Sequence, residues 1–407
     1  MVAENKNEIR PLCLSFWTPP TVRPQAILIG KMIPEWIRQG IKPVIVNYGS
    51  NGDWEINAQI YKISQFKLNK YLNRIPPLRG YLRRRYYNDI AEQLAGIVKK
   101  HDLNIIFSFA NPQESNIIGA IVKEKTGVLF VSHFSDPWYD NPWSKMSWWR
   151  KKIVLKQETK IIKNSDAVIF INASMRDMVM KKYPREWQDK GAVIHHSFAE
   201  SDYPLANEEV KMKKSKEKFV FSHVGAFYKA RNPEILFKAL KKIISENRSL
   251  SGKIEFRLVG YNSGYTDFTP ADMETLINKY DLGSVVKLIG QVGYRDSLQY
   301  MQLADCLVLI DVEDAESWCF PSKVVDYAGS GAAILGVTSK DSPVWLFLEK
   351  LGYRCFTYGE VDKLAWHMKE LIEGRFEKNV NKEYLQEFSA ASNIKKLLEL
   401  FSDLVSK

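Results

Sequence analysis

No apolar run in this 407-residue chain approaches the roughly 18 residues needed to cross a bilayer, and the opening MVAENKNEIR has no apolar core of the kind a signal peptide carries. The expected location is cytoplasmic. Cysteine is scarce: Cys13, Cys306, Cys319 and Cys355 lie far apart with no CxxC spacing, which excludes a disulfide framework and fits reduced structural thiols. No short-period repeat is present, so a solenoid is excluded. No GxGxxG follows either opening strand, which leaves a dinucleotide-dependent oxidoreductase as a weak reading. Acidic residues are short in one half only. Residues 1–200 hold 30 Lys and Arg against 18 Asp and Glu, and the remainder hold 28 against 29, so the excess behind the net charge of +11 lies wholly in the first half.

Two basic, aromatic-laced patches carry much of that excess: KLNKYLNRIPPLRGYLRRRYY at 67–87 and WSKMSWWRKK at 143–152. A basic residue near an anionic bilayer contributes about 1 kcal/mol, and Trp and Tyr favour the headgroup level. Two readings stay open: peripheral contact at the inner face of a membrane, or a solvated basic face whose aromatics belong to the core. Nucleic acid is not expected as a partner, because no recognised binding motif accompanies the charge.

What the chain does contain is ordinary globular composition, 45% hydrophobic and 26% charged, in a length that suits two domains. Short Val/Ile/Phe-rich runs at 12–16, 44–49, 104–109, 128–134, 167–172 and 192–198 alternate with helical stretches, the pattern of a doubly wound parallel sheet. A second series follows at 218–225, 253–260, 285–290, 306–312 and 332–337, with helices near 343–351, 361–373 and 383–406. The polar segment 201–218 lacks helical apolar spacing and is predicted to be a linker. The expected domains are therefore 1–200 and 219–380, with 381–407 returning to the first.

Two strand-to-helix corners of the second half are suited to an anion. CLVLIDV, at 306–312, is a buried strand, and FPSKVVDYAGSGAAIL, at 320–335, places a helix N-terminus after it. Such ends carry unpaired N–H groups and roughly +0.5 of a charge, which favours phosphate, while Asp326, four residues after Ser322 on the same face, is placed to accept from sugar hydroxyls. An exposed Lys323–Asp326 ion pair is the plainer alternative. The other corner follows KFVFSHVG: Asn232 is placed to cap, Pro233 suits the first turn, and Arg231 stands at the helix mouth.

With these corners the chain resembles the retaining GT-B glycosyltransferases of family 4, in the PSK-type variant, over nearly its whole length. The resemblance implies an α/β fold of two Rossmann-like doubly wound domains facing a central cleft. It also implies transfer of a sugar from a nucleotide-diphosphate donor, hexosyltransferase-like, to a cell-envelope or lipid-linked glycan. By residue, Gly225 matches the family's glycine, Arg231 its lysine, and Asp326 its ribose-binding acid, with Ser322 and Lys323 completing the donor turn. Arg231, Lys323 and the N–H groups near Ser322 would stabilise the departing phosphate, and His133 matches the histidine placed against the donor sugar. No cofactor and no metal are implied; Asp311 and Asp314 of DVED end a buried strand. Three departures stand out: Ala226 where an arginine is usual, Trp318 where the earlier of two acids is usual (Glu316 lies two places before it), and Val22, Arg23 and Pro24 in place of a glycine pair. They keep a second reading in play, a nucleotide-sugar binding or scaffold protein without transfer activity.

Overall fold

The computed structural model describes residues 8–49, 53–63, 76–203, 207–215, 217–261, 267–313, 318–375 and 379–407. Part of the basic patch at 67–87, together with Asp314 and Glu316, lies outside the described residues. The chain divides into two compact units, residues 1–196 with 390–407, and residues 197–389.

The first unit runs β1 (Pro11–Ser15), α1 (Pro24–Arg38), β2 (Val44–Asn47), β3 (Gln59–Lys62), α2 (Pro76–Lys100), β4 (Ile105–Phe109), α3 (Glu114–Thr126), β5 (Leu129–Phe134), α4 (Trp148–Asn164), β6 (Ala167–Phe170), α5 (Ala173–Met180), α6 (Arg185–Gln188) and β7 (Gly191–Val193). Its seven strands are all parallel, in the order β3-β2-β1-β4-β5-β6-β7. Helices cover both faces of such a sheet, so the central strands are near-continuous apolar runs rather than alternating ones, with a few buried polar residues such as Ser108 and His133. That is why β1, β2, β4, β5 and β6 are plain in the sequence. β3, on the edge and largely exposed, is not.

The second unit contains α7 (Asn207–Lys213), β8 (Phe219–Val224), α8 (Glu234–Glu246), β9 (Ile254–Val259), α9 (Pro270–Tyr280), β10 (Val286–Ile289), α10 (Tyr294–Leu303), β11 (Cys306–Ile310), α11 (Ser322–Gly329), β12 (Ala333–Val337), α12 (Pro343–Lys350), β13 (Arg354–Phe356), α13 (Val361–Ile372) and α14 (Lys382–Gln386). Its parallel order is β10-β9-β8-β11-β12-β13. Counted within the unit this is 3-2-1-4-5-6, the doubly wound arrangement with a topological switch between its first and fourth strands, here β8 and β11.

Both predicted domain boundaries shift. The segment 201–218 is not a free linker: α7 lies in it, and Lys214 Nζ donates to Ala304 O at 2.7 Å, fastening the segment to the second unit. Residues 381–389 also remain with that unit, because Phe388 packs 4.7 Å from Phe347 between ring centroids and its carbonyl accepts from Phe198 N at 3.1 Å. The return to the first unit is made by α15 (Ala390–Val405) alone. Its Ile394, Leu397 and Phe401 are fully buried, and the Phe401 ring lies 5.6 Å from Trp36 and 5.7 Å from Phe107. Phe401→Ala is expected to cost about 3–5 kcal/mol through lost burial and the cavity left behind, read as a lowered denaturant midpoint of the first unit.

Candidate functional site at the switch point of the second unit

Open parallel sheets take ligands outside the carboxyl ends of their strands where the order reverses. In the second unit that place lies beyond the ends of β8 and β11, and a cluster of polar groups is gathered there. Gly225, directly after β8, has φ +133, a conformation that needs glycine. A Cβ on it would stand 3.3 Å from Lys323 Nζ, so the missing side chain lets the ammonium of α11's first turn approach the β8 corner.

His223, two residues earlier, holds that ammonium. The imidazole is fully buried, stacked 4.3 Å from Phe227, with Nδ1 2.9 Å from Val308 O. A carbonyl only accepts, so Nδ1 carries the proton and Nε2 is left to accept from Lys323 Nζ, 3.1 Å away. Burial first, and the Lys323 charge second, depress the His223 pKa well below its ordinary value and keep the ring neutral. Lys323 is brought down to about 7, chiefly by burial and then by the Arg231 guanidinium, with Asp311 acting the other way. A cation held near neutrality beside another cation is a group waiting for negative charge.

Arg231 reaches the cluster from the loop before α8. Reciprocal backbone bonds, Tyr228 N to Arg231 O at 3.2 Å and Arg231 N to Tyr228 O at 2.9 Å, close a tight turn. Nη2 pairs with Asp311 Oδ1 at 3.0 Å; Asp311 is fully buried just past β11, and Thr338 Oγ1 lies 3.4 Å from its other oxygen. Buried ion pairs are costly to assemble, and this one fixes the guanidinium at the strand end. Arg231 Nε is buried with no hydrogen-bond partner among the described residues. Such an orphan donor points to an absent acceptor.

The structure therefore brings Gly225, Arg231 and Lys323 together. Ser322 opens α11 beside them, with Pro321 as N-cap and no side-chain cap. Lys323 donates to His223 rather than forming the surface ion pair with Asp326 that the spacing also allowed. Asp326 lies one turn further along, buried, among Tyr203, Tyr294 and Tyr327, whose pKa values are raised first by burial and then further by its charge. The ion partner of Arg231 is Asp311, not Asp326. Trp318, where an acid is usual in the resembled family, is buried and brings no carboxylate.

His133 belongs to the first unit, at the end of β5. It is buried, its pKa lowered to about 4 by burial, and its Nδ1 lies 3.5 Å from Ser135 Oγ. It neighbours the half-buried His196, whose pKa is lowered to about 3 by desolvation first and then by His133, Lys31 and His195. Among the described residues no cluster of His, Cys, Asp and Glu could hold a metal ion.

Sequence reasoning missed three participants. His223, Asp311 and Tyr327, the last of which accepts from Val224 N at 2.7 Å, carry no local signal, because their partners lie 100, 80 and 103 residues away.

No protein-family model matches the chain, and no curated protein matches it in sequence. Solved structures do match. Sucrose-phosphate synthase from Thermosynechococcus elongatus aligns with a TM-score of 0.71 at 15% identity, covering 98% of this chain and 100% of that one. Anabaena HepE, crystallised with UDP and glucose, aligns with a TM-score of 0.70 at 15% identity over 97% and 100% of the two chains. A glycosyltransferase from Rickettsia africae aligns at 0.69 with 13% identity over 98% and 99%. The fold is GT-B. In GT-B terms the seven-stranded unit is the N-terminal Rossmann-like domain, completed by the last helix, and the six-stranded unit is the C-terminal one. At such identities the likeness establishes the architecture of this GT-B chain.

Proposed function

We propose that the chain is a glycosyltransferase that takes its sugar from a nucleotide-diphosphate donor bound at the β8/β11 switch point. The observation that carries this reading is the convergence of Lys323 and Arg231, one with a depressed pKa and one with an orphaned Nε, on a glycine corner beside the N-terminus of α11. Two cations and unpaired helix N–H groups are what a diphosphate requires, and they gain most as the leaving phosphate takes up charge. In this reading Gly225 admits the diphosphate to the backbone, Ser322 offers its N–H, and Asp326 receives the ribose hydroxyls. The family resemblance gives His133 the contact with the donor sugar; with its pKa lowered to about 4 by burial, it would serve there as a neutral hydrogen-bonding group rather than a charge. Arg231 and Lys323 supply the phosphate charge without a metal or other cofactor. The reaction is retaining, as in family 4, and the acceptor is a cell-envelope or lipid-linked glycan of polysaccharide biosynthesis.

The HepE structures hold UDP, UDP with glucose, and UDP-glucose, so uridine donors are the first to try. Binding at 100 times the dissociation constant adds about 2.7 kcal/mol of stability, readily seen as a raised melting temperature. A panel of nucleotide sugars and nucleoside diphosphates is expected to give at least one such shift, lost in Arg231→Ala. A panel with no shift at millimolar concentration sinks the proposal. The buried Trp318 in place of an acid favours, as second reading, a binding protein without transfer activity. Donor binding with neither hydrolysis nor transfer to envelope extracts would select it.

A further inference from the structure

The first six residues of α4, Trp148 to Ile153, are all exposed, although two are tryptophans and one is isoleucine: Trp148 at 72%, Trp149 at 55% and Ile153 at 50%. Burial starts only at Val154. Arg150, Lys151 and Lys152 fill the same turns. No acid stands in the first turn and Ser147 gives no side-chain cap, so three cations sit at the positive end of the helix dipole. Among the described residues no carboxylate pairs with any of the three; Lys152 Nζ lies 4.9 Å over the Trp148 ring instead. Each choice works against a free helix end, and all of them agree with a negative, partly apolar surface.

A second helix end has the same character. In α2 the buried face begins at Tyr87 and continues through Ile90, Ala91, Leu94 and Val98, while Arg83, Arg84 and Tyr81, the last 62% exposed, precede it in solvent. α3 packs between α2 and α4, and all three follow parallel strands, so their N-termini lie at the carboxyl edge of one sheet. Both basic aromatic tips therefore stand at the same end of the first unit.

We propose that this end of the unit docks on an anionic lipid bilayer, with Trp148, Trp149 and Ile153 seated at the headgroup level and the cations of α4 and α2 over the anionic phosphates. Exposed Trp beside Ile distinguishes a bilayer from a nucleic acid, which offers phosphate charge but no aliphatic layer. Opposite charge distinguishes it from a second copy of this basic face. The inference stands apart from the donor reading, since docking needs no nucleotide.

The test is flotation of the full chain with vesicles of phosphatidylcholine alone or rich in phosphatidylglycerol. Binding is expected only to the anionic vesicles and is expected to weaken as salt rises. Each cation contributes about fivefold in partition, so R150Q/K151Q/K152Q is expected to bind about a hundredfold more weakly. Tryptophan quenching by brominated lipid, present in the native chain, is expected to fall in W148A/W149A, with the melting temperature of both variants unchanged. Equal partition to both vesicle types, undiminished binding by the triple variant, unaltered quenching, or DNA binding of comparable strength at physiological salt would each overturn the proposal.

Discussion

Lys323→Met is expected to slow donor turnover about 10²–10³-fold while raising the melting temperature. The two effects share one cause. Lys323 sits partly buried beside the Arg231 guanidinium, its pKa lowered to about 7. In the unfolded chain its pKa returns to about 10.4, so the unfolded state binds this proton more tightly. The folded state is therefore penalised in full below pH 7, and the penalty fades as pH rises toward the unfolded value. Methionine keeps the apolar stem and removes the charge, so the gain in melting temperature should be larger at pH 7 than at pH 10. Turnover falls because the lost ammonium is the one His223 aims at the Gly225 corner. A merely structural lysine would give no gain in stability and no loss of rate. If the variant melts lower and turns over normally, Lys323 is removed from the site.

Much of this arrangement can be read before any coordinates, and the parts that cannot have a common reason. Central strands such as β11 and β4 announce themselves because both faces are covered and the run is almost wholly apolar, Ser108 of β4 being the one polar position. The three-residue edge strand β13 gives no comparable run, and α14 and α15 read as one helix because the break at Phe388 is set by packing on Phe347. Arg231 and Lys323 were legible because helix mouths are local features. Their holders were not: Asp311 reads as the end of a buried strand until Arg231 is brought to it, and His223 reads as a core histidine until Nε2 is seen to face an ammonium. The first-turn lysine of α11 is also the group nearest the Gly225 corner, where Ala226 leaves out the arginine usual in the resembled family. Local chemistry specifies the donors of charge; only the sheet order specifies what aims them.

Binding of a nucleoside diphosphate at pH 8 is expected to take up about 0.9 of a proton, because a lysine of pKa about 7 is only about one-tenth protonated there and a bound diphosphate restores its charge. The neighbours leave little else to titrate. His223 is held neutral, its pKa well below the ordinary value through burial first and the Lys323 charge second. Asp311 is paired with Arg231, and Tyr327 and Tyr358 are pushed up by burial. The terminal phosphate, with a second pKa near 6, is already ionised at this pH. Affinity should accordingly be constant below pH 7 as far as the ligand remains ionised, then fall by up to tenfold per unit above it until the pKa of the complex is reached. Calorimetry in two buffers of different protonation enthalpy measures the uptake directly. Lys323→Met should bind more weakly and with no proton uptake at pH 8, whereas His223→Gln, which alters the partner but keeps the lysine, should retain uptake with a shifted midpoint. Native binding without proton exchange would show that the diphosphate does not contact Lys323, and would place any donor elsewhere on the unit.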